Sequence, residues 1–104
     1  MTGSNGLQVA ISDHLTAVLR SLIELLRDYG EAAQSKWLSD RLAILVSGSA
    51  SLEAIATVTT ELHGIVLGMG GLLDLYLSAG SEEESKEANR ELRRLADQLF
   101  ELTR

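Results

Sequence analysis

The spacing of the apolar residues constrains this chain more than any other feature. They recur three and four positions apart almost everywhere, and no run is read as alternating like a half-buried strand. That spacing lays apolar side chains along one stripe of an α-helix. Proline, the strongest helix breaker, is absent from all 104 residues. The sequence therefore predicts an all-α protein, an antiparallel four-helix bundle with short links.

Four segments carry the pattern. The first runs from Ser12 to Tyr29, with Leu15, Val18, Leu19, Leu22, Leu25 and Leu26 on its stripe. Ser12 or Asp13 can cap its start, and Gly30 stands where a left-handed C-terminal residue belongs. The second runs from about Glu31 to Ser47. Trp37, Leu38, Leu42, Leu45 and Val46 mark its buried face, with Ile44 at the edge. A polar link, Ser47 to Ser51, leads to the third, whose stripe is Leu52, Ile55, Val58, Leu62, Ile65 and Met69.

The third segment then meets Gly68, Gly70 and Gly71. Each glycine costs a helix interior roughly 1 kcal/mol relative to alanine. A break or bend is expected over Gly68–Gly71, followed by a short helix from Leu72 to Leu77. The fourth segment opens with Ser81 and, three positions on, Glu84, the pattern of a capping box. Ala88, Leu92, Leu95, Leu99 and Leu102 follow as a heptad-like seam.

A chain of this length sustains one hydrophobic core, not two. Residues 11–104 are read as a single helical domain and residues 1–10 as a flexible lead-in. The first six residues lack the basic and apolar regions of a secretory signal. With no cysteine, disulfides, thiolate metal sites and cysteine nucleophiles drop out. These points favour a cytoplasmic location. The net charge of −6 disfavours nucleic acid and anionic membrane as partners. The most apolar run, Leu62 to Leu77, falls short of the ~20 residues of a bilayer span, so a buried core helix is expected there.

Residues 51–80 hold only Glu53, Glu61 and Asp74 as charges. The third helix is therefore either the most buried or the one that faces a partner. Gly64, Gly68 and Gly71 share a helical face by spacing. They serve close backbone packing, or else a backbone site at the start of the Leu72 helix. Asp74, set among leucines, caps a neighbouring helix, pairs with an arginine, or marks a working surface beside Tyr76. His63 reads as a satisfied residue at a polar–apolar border. Glu61 and His63 are two apart and point away from each other, so they do not chelate one metal. No metal, nucleophile-elbow or phosphate-loop pattern occurs. No cofactor, metal or catalytic group is expected, and the chain is not read as an enzyme.

Asp28-Tyr29-Gly30-Glu31, then Trp37-Leu38, and then Gly68-Met69-Gly70-Gly71-Leu72-Leu73-Asp74-Leu75 follow in an order that carries a resemblance. Over roughly residues 15–103 the chain resembles a family of small all-helical bacterial proteins of unknown function with a GMG(S/G)xxDLxL motif. The resemblance implies a helical fold and a shared locus of Trp37, Gly68, Gly70 and Asp74. It implies no activity.

The expectation for function is a non-enzymatic protein-binding module. An immunity protein, antitoxin or inhibitor that caps a basic partner would fit the charge. The alternative is a self-associating structural or regulatory protein, a homodimer paired through its third or fourth helix; an enzyme or metal protein comes third, with the fewest residues in its favour. The candidate contact residues are Trp37, His63, Gly68, Met69, Gly70, Asp74 and Tyr76.

Overall fold

The stripes fold as helices in the computed structural model, which describes residues 13–104. The lead-in expected for residues 1–10, and the cap expected of Ser12, lie outside the described residues. The helices are α1 (Asp13–Asp28), α2 (Ala32–Val46), α3 (Leu52–Leu67) and α4 (Glu82–Leu102), with a 3-10 turn at Leu72–Asp74. There is no strand among the described residues. They form a four-helix bundle in which α1 packs on α2 and α4, and α3 packs on the same two.

Local chemistry sets the ends. Gly30 takes a positive φ of 83° after α1. Its N–H donates to the Arg27 carbonyl at 3.2 Å, and the Glu31 N–H to the Leu26 carbonyl at 2.8 Å. This pair is the Schellman pattern that satisfies the last carbonyls of a helix. Ser51 caps α3 by accepting from the Ala54 N–H at 3.0 Å. Ser81 caps α4 by accepting from the Glu84 N–H at 3.1 Å. The Glu84 carboxylate accepts from the Ser81 hydroxyl at 3.4 Å instead of closing the box on the backbone.

The core is built from leucines of all four helices: Leu15, Leu19, Leu22 and Leu26 from α1, Leu38 from α2, Leu62 from α3 and Leu99 from α4. Three residues assigned to buried stripes are exposed. Val46 and Leu52 are 50% and 61% exposed, because they end α2 and begin α3 where the link leaves no helix to cover them. Met69 is fully exposed, since α3 ends before it and no stripe continues.

α4 is staggered against α3. His63, near the end of α3, faces Thr103 at the end of α4, with His63 Nδ1 to Thr103 Oγ1 at 3.0 Å. Running antiparallel from that point, α4 extends beyond the end of α3. There the segment that leaves α3 becomes its partner: Leu77 is bonded to Asn89 and Ala79 to Ser85.

Candidate functional site

The segment after α3 gathers most of the candidate residues. Gly68 closes α3 by donating to the Gly64 carbonyl at 3.0 Å. Gly70 adopts a φ of +73°, the left-handed region that favours glycine. The Gly71 N–H donates to the Gly68 carbonyl at 2.7 Å and the Asp74 N–H to the Gly71 carbonyl at 3.1 Å. The Asp74 carboxylate accepts from the Gly70 N–H at 2.7 Å. Gly68, Gly70, Gly71 and Asp74 are thus one hydrogen-bonded turn.

This arrangement decides between the readings of the glycines. A Cβ on Gly71 would collide with the Ile65 carbonyl oxygen and lie 2.7 Å from that of Gly68; one on Gly68 would lie 2.8 Å from the Gly64 carbonyl oxygen. The close approach is of the chain to its own helix end. Gly64 has open space around it and takes no part. The Gly70 N–H is occupied by Asp74, and the 3-10 turn is three residues long. The backbone site imagined at the start of a Leu72 helix is absent. Asp74 is exposed, and no arginine pairs with it among the described residues. Its role is to hold the turn.

The helix expected from Leu72 to Leu77 stops at Asp74. The next five residues, Leu75 to Ala79, belong to no helix and form a strap that Leu75 enters with an extended backbone. Leu77 is fully buried while Tyr76 and Ser78 are exposed, an alternation of period two. The sequence contained that alternation in Leu73, Leu75 and Leu77, set against Asp74, Tyr76 and Ser78; the leucine content hid it. Two residues on α4 hold the strap, and neither was a candidate. Asn89 accepts from the Leu77 N–H and donates to the Leu77 carbonyl, both at 2.8 Å. Buried Ser85 accepts from the Ala79 N–H at 2.8 Å and donates to the Ser81 carbonyl. The clue was an uncharged polar pair, four apart, beside Ala88 and Leu92 on a helix otherwise rich in charge.

The apolar run before the turn is not the buried core helix expected. α3 buries only Val58, Leu62 and Val66. Leu67 and Tyr76 are each 66% exposed, and Met69 projects wholly into solvent. The stretch Leu52–Asp74 is apolar enough in composition for a membrane span, with 28% of its most apolar window buried. The α-helix within it ends at Leu67, which makes it 16 residues and about 24 Å long. That is shorter than the ~30 Å hydrocarbon core.

His63 and Trp37 lie apart from the turn's hydrogen bonds. His63 stacks on Phe100 with ring centroids 4.2 Å apart. The Thr103 hydroxyl donates to the Leu99 carbonyl at 2.7 Å. The contact at Nδ1 therefore has the imidazole N–H as donor, a tautomer assigned by the network. The contact ties the end of α3 to the end of α4. Trp37 lies under Arg41, whose guanidinium carbon is 3.9 Å from the ring centroid. Arg41 in turn reaches Glu61 of α3 at 3.3 Å.

Electrostatics add little chemistry. The pKa of Glu91 is held below the ordinary carboxylate value by its hydrogen bond from Arg94, and that of Arg94 is raised by the same bond. This pair lies on α4, outside the turn. Among the described residues no group of three or more His, Asp or Glu side chains is placed to hold a metal ion. What the region offers is an exposed apolar rim on a rigid turn. Compared with known proteins, the chain matches no family model, no curated protein and no solved structure.

Proposed function

We propose that the protein is a non-enzymatic, cytoplasmic binding module that caps a basic protein partner, as an immunity protein, antitoxin or inhibitor does. Its working surface is the outer face of α3 together with the glycine turn and strap. The observation that carries this reading is that the least charged part of the chain is only partly spent on the core. Leu67, Met69 and Tyr76 stand exposed around a turn fixed by Asp74. Large apolar side chains on a rigid support are the usual anchors of an interface. Glu82, Glu83 and Glu84 follow the strap, and with the net charge of −6 they favour a cationic partner.

A photo-crosslinking residue at position 69, introduced in the native cells, tests this. A discrete adduct to a basic protein is expected at position 69 and none at Ser21, on the exposed face of α1. No adduct at 69, or the same adducts at both positions, sinks the reading.

One observation favours self-association as the second reading. Leu52, Ala56, Thr60, Gly64 and Leu67 form an exposed line along α3, small in the middle and large at both ends. Two copies crossing at Thr60 would present the same patch to each other, as a two-fold dimer requires. Light scattering across a concentration series distinguishes the two.

A further inference from the structure

The strap has two backbone edges, and only one is used. In an extended segment the N–H and C=O groups of successive residues point to opposite sides. Those of Leu77, and the N–H of Ala79, face α4 and are bonded to Asn89 and Ser85. The Asn89 side-chain amide both accepts from and donates to Leu77, so it occupies the place of a neighbouring strand's peptide group. The other edge carries the N–H and C=O groups of Tyr76 and Ser78. None of these four groups makes a hydrogen bond among the described residues.

We infer that this open edge is a docking strand, which binds an extended basic segment of the partner protein by strand addition. The inference rests on the binding-module reading and specifies how the partner is held. A backbone edge with donors and acceptors repeating every second residue is matched by another extended backbone. The strap is pre-formed: Leu77 is fully buried and Asn89 fixes its register, so an incoming strand need not order it. Exposed Tyr76 offers a face for the partner's alternate side chains.

Charge selects the partner's composition. Asp74 precedes the strap and Glu82, Glu83 and Glu84 follow it. Arg90 and Arg94 on α4 are paired with Glu87 and Glu91. Arg93, beside Leu73 and Leu75, is outnumbered by the carboxylates. A strand bearing lysine or arginine is favoured over an acidic one.

The probe is a capped synthetic peptide, Lys-Thr-Val-Lys-Val-Thr-Lys, with amide hydrogen exchange read by NMR on the full chain. In the protein alone, the Leu77 and Ala79 amides exchange slowly and those of Tyr76 and Ser78 fast. Peptide is expected to slow Tyr76 and Ser78 on the order of tenfold while leaving Leu77 and Ala79 unchanged. Ser78→Pro removes one donor from the open edge and keeps the bonds to Asn89 and Ser85; it is expected to weaken binding about tenfold. A peptide N-methylated at alternate residues, which needs no change in the protein, is expected to bind as poorly.

No binding at about 1 mM peptide overturns the inference. So does binding that leaves Tyr76 and Ser78 unprotected, or equal binding of the N-methylated peptide. Protection of the two amides that rises with protein concentration alone also overturns it, in favour of a second copy. The crosslink at position 69 separates this inference from the reading beneath it. An adduct whose yield is unchanged in Ser78→Pro defeats strand addition and leaves the binding module standing; an adduct reduced in that variant supports strand addition.

Discussion

Two links of this molecule, Ser47–Ser51 and Gly68–Gly80, share a glycine-containing turn and differ in kind. Both are rich in small residues and each contains a glycine of positive φ, Gly48 at 77° and Gly70 at 73°. The first link is a spacer. Its serines bond among themselves and to Ile44, and a Cβ on Gly48 would meet nothing. The second is an element of the fold. It buries Leu72 and Leu77 completely and borrows Asn89 and Ser85 from α4 to satisfy its backbone. A glycine shows that a turn is permitted; what the neighbouring side chains bury shows whether the turn belongs to the structure.

The largest test of that difference is in the core. Leu77→Ala removes a fully buried side chain from the strap and is expected to cost roughly 2–5 kcal/mol of stability. Leu52→Ala, at the end of the first link and 61% exposed, should change it by less than about 0.5 kcal/mol. Urea denaturation measures both, and equal costs would break the comparison.

The glycines come next. Gly71→Ala sets a Cβ against the backbone of Ile65 and Gly68, which has to move, and about 3 kcal/mol of destabilisation is expected. Gly48→Ala has room and suffers only its left-handed backbone, at about 1 kcal/mol. Asn89→Ala falls between them. It strands the Leu77 N–H and carbonyl, which should cost about 2 kcal/mol and turn the Leu77 amide from slow to fast exchange. An unchanged Leu77 amide in that variant would mean that something other than Asn89 holds the strap.

The same contrast explains what the sequence made legible. The cap at Ser81, the left-handed turn at Gly30 and the seam from Ala88 to Leu99 depend on residues within a few positions of one another. Their chemistry is local, so spacing reveals it. The break at Gly68–Gly71 was visible for the same reason. The strap was not, because its shape depends on Asn89 and Ser85, 12 and 6 positions away from the backbone groups they bond. Leu72 to Leu77 is short, leucine-rich and as compatible with one helical turn as with a strand. The exposure of α3 was also undecided: low charge fits a buried helix or an open one. Only the packing of α2 and α4 shows that the outer side of α3 is left uncovered.

The smallest expected effect bears on that uncovered side. Gly64 lies in the interior of α3, with no atom near enough to meet an added Cβ. In a lone chain Gly64→Ala should therefore stabilise, by up to about 1 kcal/mol, because alanine loses less backbone freedom on folding. For a domain of this size that is a rise in Tm of roughly 4–8 °C by calorimetry. The gain has a second consequence. If two copies met along Leu52, Ala56, Thr60 and Gly64, a methyl group at 64 would push them apart, and the Tm would fall as protein concentration rose in the variant relative to the parent. A gain independent of concentration counts against a second copy on the outer face of α3.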